Sequence, residues 1–101
     1  MHTIVMASTA LLLSTAAFAA TQPEKDIARG FMHLGMNTRR AACYGAVIGG
    51  TLHGQNLARA AQIVQSAKNS GDVRKAVQSS GVMIEAFSAA HNQCDRQATS
   101  H

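Results

Sequence analysis

The sequence predicts an all-α protein: a small four-helix bundle, or a kinked three-to-four-helix one, stapled by one disulfide. Three observations lead there. No proline follows Pro23, so nothing beyond it removes a backbone donor from a helix. Ala, Gln, Arg and Lys, good helix formers, dominate the rest of the chain, and the strand-type alternation of Val, Ile, Thr and aromatic residues is missing. The two cysteines, Cys43 and Cys94, allow a single intramolecular pairing.

The first helix is expected from Pro23 to Leu34. Pro23 suits a first helical turn, Glu24 and Asp26 favour its positive end, and Gly35 stops it. Ile27, Phe31 and Leu34 recur at i, i+4 and i+7 and form its buried stripe. Asn37 or Thr38 then caps a second helix that runs to Leu52 or His53, with Gly54 ending it. A third starts at Gln55 or Asn56, carries Leu57, Ile63 and Val64, and closes at Asn69-Ser70-Gly71. The fourth is expected from Asp72 to Arg96. Val73, Val77, Ser80, Ile84, Phe87, His91 and Cys94 alternate in steps of four and three along it, a seam of heptad type. Ser79-Ser80-Gly81 is placed to kink or split this long helix. Residues 97–101 form a polar tail expected to fray.

The first nineteen residues carry a different signal. Thr3 to Ala19 is an apolar, small-residue run with Leu11-Leu12-Leu13 at its centre, ending in the Ala17-Phe18-Ala19 pattern of a signal-peptidase site. Its start, Met1-His2-Thr3, lacks the usual Lys or Arg. The expectation is a signal peptide over residues 1–19, followed by one small helical domain over residues 20–101 in the periplasm or outside the cell. The alternative is that the segment stays uncleaved as a membrane anchor. After cleavage no stable membrane span is expected, since the apolar run from Ala41 to Leu52 is too short to cross a bilayer.

A domain of about eighty residues is marginal without help. Of the 34 apolar residues after Ala19, 14 are alanines, and the aromatics there are only Phe31, Tyr44 and Phe87. An oxidising compartment supplies the help: closing a loop of about fifty residues between Cys43 and Cys94 contributes up to about 4 kcal/mol in the chain-entropy model. Redox chemistry would call for C-x-x-C spacing, which is absent, so the pair is expected to be structural.

Few residues point to chemistry. The formal net charge of +4 is spread along the chain, without the aromatic interleaving of a nucleic-acid surface, so no nucleic-acid partner is expected. Arg39 and Arg40 occupy the first turn of the second helix, against its dipole, as an anion or partner contact would allow. His33, His53, His91 and His101 follow no metal or haem spacing; only His91 lies on the seam, where partial burial would make it a ligand or a pH sensor. The acids Glu24, Asp26, Asp72, Glu85 and Asp95 form no catalytic pair, and no nucleophile elbow or phosphate loop occurs. No catalytic residues, metal or cofactor are therefore assigned, and the chain is expected not to be an enzyme.

The remaining candidate is a ladder of small residues on the second helix: Ala41, Ala42, Gly45, Ala46, Gly49 and Gly50. Glycine in a soluble helix costs roughly 1 kcal/mol relative to Ala. Repeated glycines therefore call for close backbone contact, within the bundle or across a homodimer. The layout of leader, about eighty residues, all helices and two cysteines about fifty apart is similar to that of the acid-activated periplasmic chaperones. That likeness is one of layout, with no shared motif around either cysteine. It implies a chaperone that opens in acid. The residues themselves favour a non-enzymatic interaction or binding module for a periplasmic protein partner or for its own copy. A metal or haem carrier using histidines with Met32, Met36 or Met83 is the further alternative.

Overall fold

Local capping sets each helix boundary. The computed structural model describes the backbone of residues 21–99 and the side chains of residues 21–96, so the leader over residues 1–19 lies outside the described residues. Helix α1 spans Gln22–His33, one residue earlier than Pro23, because the Thr21 hydroxyl accepts from the Glu24 backbone N–H. It ends in a Schellman motif: the Gly35 N–H donates to the Met32 carbonyl and the Met36 N–H to the Phe31 carbonyl. This turn needs φ +101° at Gly35, a conformation that glycine adopts at little cost.

Helix α2 covers Thr38–Thr51, with the Asn37 side chain accepting from the Arg40 N–H at 2.8 Å. Helix α3 covers Gly54–Ser66. Gly54 opens α3 instead of closing α2, because the chain turns earlier, with Leu52 and His53 already extended. Helix α4 is the short Ser70–Val77, capped reciprocally: Asn69 accepts from the Asp72 N–H, and the Asp72 carboxylate accepts from the Lys68 N–H. Helix α5 is Gly81–Thr99, continuing past the Arg96 end that the sequence suggests and into the segment expected to fray.

The single long fourth helix is therefore two. The chain breaks at Gln78–Ser80, where Ser79 N–H bonds the Ala76 carbonyl and Ser80 N–H bonds the Val77 carbonyl. Such i→i−3 bonds tighten the last turn and end it. The break shifts the register of α5. Its buried stripe is Met83, Ala86, Ala90 and Cys94, not Ile84, Phe87 and His91. Ile84 is 42% exposed, His91 is exposed and Phe87 is half-buried.

Packing obeys the buried stripes. Helix α1 lies between α2 and α3, and α2 lies between α1 and α5, while α4 makes only sparse contact with α3 and α5. The core contains Ile27, Ile48, Leu52, Val64 and Met83, with Ala41, Ala60, Ala61, Ala86 and Ala90 filling the narrow places between helices. Cys43 on α2 and Cys94 on α5 are joined, with an S–S distance of 2.07 Å and Cα atoms 5.8 Å apart. The protein is thus an all-α bundle with one disulfide.

Candidate functional site

The small-residue ladder divides between two faces of α2. Ala41 and Gly45 are buried, and Gly49 is half-buried. A Cβ at Gly45 would lie 2.5 Å from the Glu24 backbone carbonyl oxygen, and one at Gly49 would meet the Glu24 side chain. These positions let α1 approach closely. Ala42, Ala46 and Gly50 face outward and are exposed, with open space around Gly50. Part of the ladder is thus internal packing, and the other part lies on the surface.

A second place in the fold gathers more chemistry. Between the C-terminal end of α1, the start of α2 and the pair α4–α5 lies a cleft of about 820 Å³. Its apolar surface comes from Phe31, Leu34, Met36, Val73, Val77, Ile84 and Phe87. Val73, Val77, Ile84, Phe87 and His91 are the residues read from the sequence as a packed seam. Val73 and Val77 are buried as that seam requires, whereas beyond the break at Gln78–Ser80 Ile84 and His91 are exposed and Phe87 is half-buried, so the seam opens into a cleft. Phe31 anchors the floor, its ring centroid 5.0 Å from that of Tyr44 and 6.3 Å from that of Phe87, both pairs tilted at 59°. The Schellman turn at Gly35 delivers Leu34 and Met36 to the same cleft.

Polar groups line one side of it. Arg40 Nε donates to Asp95 Oδ1 at 2.6 Å, and His91 Nδ1 lies 2.6 Å from Asp95 Oδ2. The Tyr44 hydroxyl lies 3.3 Å from Asp95 Oδ1 and 3.4 Å from His91 Nδ1, with the Arg40 guanidinium 5.5 Å from the Tyr44 ring centroid. The Arg40 hydrogen bond, aided by the nearby charges of Arg40 and His91, holds the Asp95 carboxyl below the usual carboxylate range against the opposing effect of burial. Burial, reinforced by the Asp95 charge, pushes the Tyr44 phenol above its ordinary value. The Asp95 hydrogen bond raises Arg40 further. Arg40 thus finds a partner that offsets its unfavourable place at the start of α2.

His91 is exposed where partial burial was expected, because its face of α5 turns to the cleft and not to the core; its side chain is 68% exposed. Asp95, read from the sequence only as one of five acids that form no catalytic pair, is the hub of the cluster. The signal that finds it is the disulfide: Arg40 lies one turn before Cys43 and Asp95 directly follows Cys94, so joining the cysteines brings the two charges together. Arg74, on the facing wall, lines the cleft, and no ion pair holds it among the described residues.

Chemically, the cleft sets an apolar wall beside a partly arranged base. The His91–Asp95 pair has the geometry of an imidazole oriented by a carboxylate. Ser88 lines the same cleft but makes no hydrogen bond to His91 among the described residues. Also among the described residues, no group of three His, Cys, Asp or Glu side chains is arranged to hold a metal ion, and no helix is long and apolar enough to cross a membrane. No family model, curated protein or solved structure matches this chain.

Proposed function

We propose that this chain is a non-enzymatic binding module that works outside the cytosol, with the cleft between α1–α2 and α4–α5 as its working surface. The observation that carries this reading is the cleft itself. In a protein with so few large side chains, Leu34, Met36, Ile84 and Phe87 stay accessible around open space, above a floor of the buried Phe31, Val73 and Val77. Pockets of about 300–1,000 Å³ with an apolar lining and a few polar groups are the usual form of a binding site. The Cys43–Cys94 bond and the Arg40–Asp95 pair tie α2 to α5 beside it, so the surface is preorganised in the free protein. A stapling disulfide also suits an oxidising compartment.

The test is to express the full sequence and recover the protein from the compartment where it accumulates. Intact mass should show a chain beginning at Ala20 and lighter by two hydrogens than its reduced form. Native mass spectrometry should then detect a bound molecule or protein that is lost on Ile84→Glu substitution, which places a charge at the exposed lip of the cleft. A chain that begins at Met1 with free thiols, or one whose bound material ignores the substitution, overturns the proposal.

A further inference from the structure

The cleft has charge as well as shape, and the two together select a ligand. None of the residues lining it is Asp or Glu, whereas Arg40, Arg74 and His91 all reach it. Asp95, which does not line the cleft, neutralises Arg40 from behind. Arg74 remains, an exposed guanidinium in the last turn of α4. The cleft therefore presents one uncompensated positive charge beside an apolar wall, a pattern complementary to a single negative charge on an apolar body.

We propose that the cleft binds a single-chain aliphatic carboxylate, with the chain laid along Leu34, Met36, Ile84 and Phe87 and the carboxylate held by Arg74. This rests on the binding-module reading and names its ligand. One net charge suits a carboxylate monoanion better than a phosphate dianion, which would leave a charge without a partner. The open cleft of about 820 Å³ has room for a single acyl chain. Ile84, 42% exposed, would be covered by the chain, which gives this apolar side chain on the surface of α5 a role.

The protein contains one tyrosine and no tryptophan, so its tyrosine fluorescence comes from Tyr44, in the wall of the cleft. Titrating the full-length-expressed, oxidised protein with decanoate below its micelle-forming concentration should change that fluorescence saturably, with one-to-one stoichiometry by calorimetry. Arg74→Gln should weaken decanoate binding about tenfold, the loss expected for one charge-assisted contact. Ile84→Glu should weaken it further, and Lys25→Gln, on the exposed side of α1, should leave it unchanged. Both Arg74 and Ile84 are exposed, and helical circular dichroism of each variant confirms that folding is retained.

Equal binding of decyltrimethylammonium, equal binding of acetate or inorganic phosphate, or indifference to Arg74→Gln each overturns the assignment. Absence of decanoate binding by a protein that still carries other material displaced by Ile84→Glu overturns the carboxylate proposal alone. Absence of export, or of any bound material sensitive to Ile84→Glu, defeats the broader reading instead.

Discussion

Arg40 Nε sits 2.6 Å from Asp95 Oδ1, one turn along α2 from the bond that joins Cys43 to Cys94. Helices α2 and α5 are thus linked twice over a short length, once by sulfur and once by charge. The two links differ in strength and in what abolishes them.

The covalent link should dominate. Reduction, or the paired substitution Cys43→Ala with Cys94→Ala, should lower unfolding stability by up to about 4 kcal/mol, the chain-entropy value for a loop of this length. Thermal melts of oxidised and reduced protein check this. Equal melting temperatures would show that the bond does not restrain the unfolded chain.

The ionic link should be weak and pH-dependent. Asp95→Asn should cost about 0.5–1 kcal/mol near neutral pH, as for other partly exposed pairs, and less in high salt. Because folding holds the Asp95 carboxyl below its ordinary value, the unfolded chain takes up its proton first as pH falls. The contribution of the carboxylate is therefore complete above the unfolded carboxylate value of about 3.9 and is lost as pH drops through the lower folded one. Denaturant melts of wild type and Asp95→Asn should converge in strong acid. A constant gap across that range would refute the assignment.

Two glycines of α2 should respond with opposite signs. Gly45→Ala forces a methyl group against the Glu24 carbonyl oxygen, a backbone atom that cannot swing aside, and should destabilise by about 1–3 kcal/mol. Gly50→Ala meets nothing within 4 Å and should stabilise by about 0.5–1 kcal/mol through helix propensity alone. Denaturation midpoints measured side by side check the pair. A loss at Gly50 would mean that its face of α2 is covered in solution.

Tyr44 should ionise late. Burial and the Asp95 charge both raise its phenol, so the phenolate absorbance of this single tyrosine should appear above the ordinary value of about 10. In Asp95→Asn the midpoint should fall part of the way back, with burial holding the remainder. An unshifted titration in the wild type would show that the hydroxyl is solvated.

Much of the helical plan is legible in the sequence because it is local. Asn37, Gly35 and the i, i+4 recurrence of Ile27 and Phe31 act within a few residues of themselves, and the helices form where those signals place them. The disulfide is legible by counting, since two cysteines admit one pairing. The glycines of α2 announce a close approach, but not that α1 makes it through Glu24.

The sequence by itself determined helix class, caps, the staple and a shortage of large core residues, all properties of composition or of neighbours along the chain. Tertiary structure alone decided where the apolar seam would go. The turn at Gln78–Ser80 rotates α5 so that Met83, Ala86 and Ala90 enter the core, while Ile84, Phe87 and His91 face the cleft. A heptad pattern describes one continuous helix, and a turn of three residues resets its phase through backbone angles that no side-chain spacing records. Only with that reset made, and α5 drawn to α2 by Cys94, do Arg40, Tyr44, His91 and Asp95 meet.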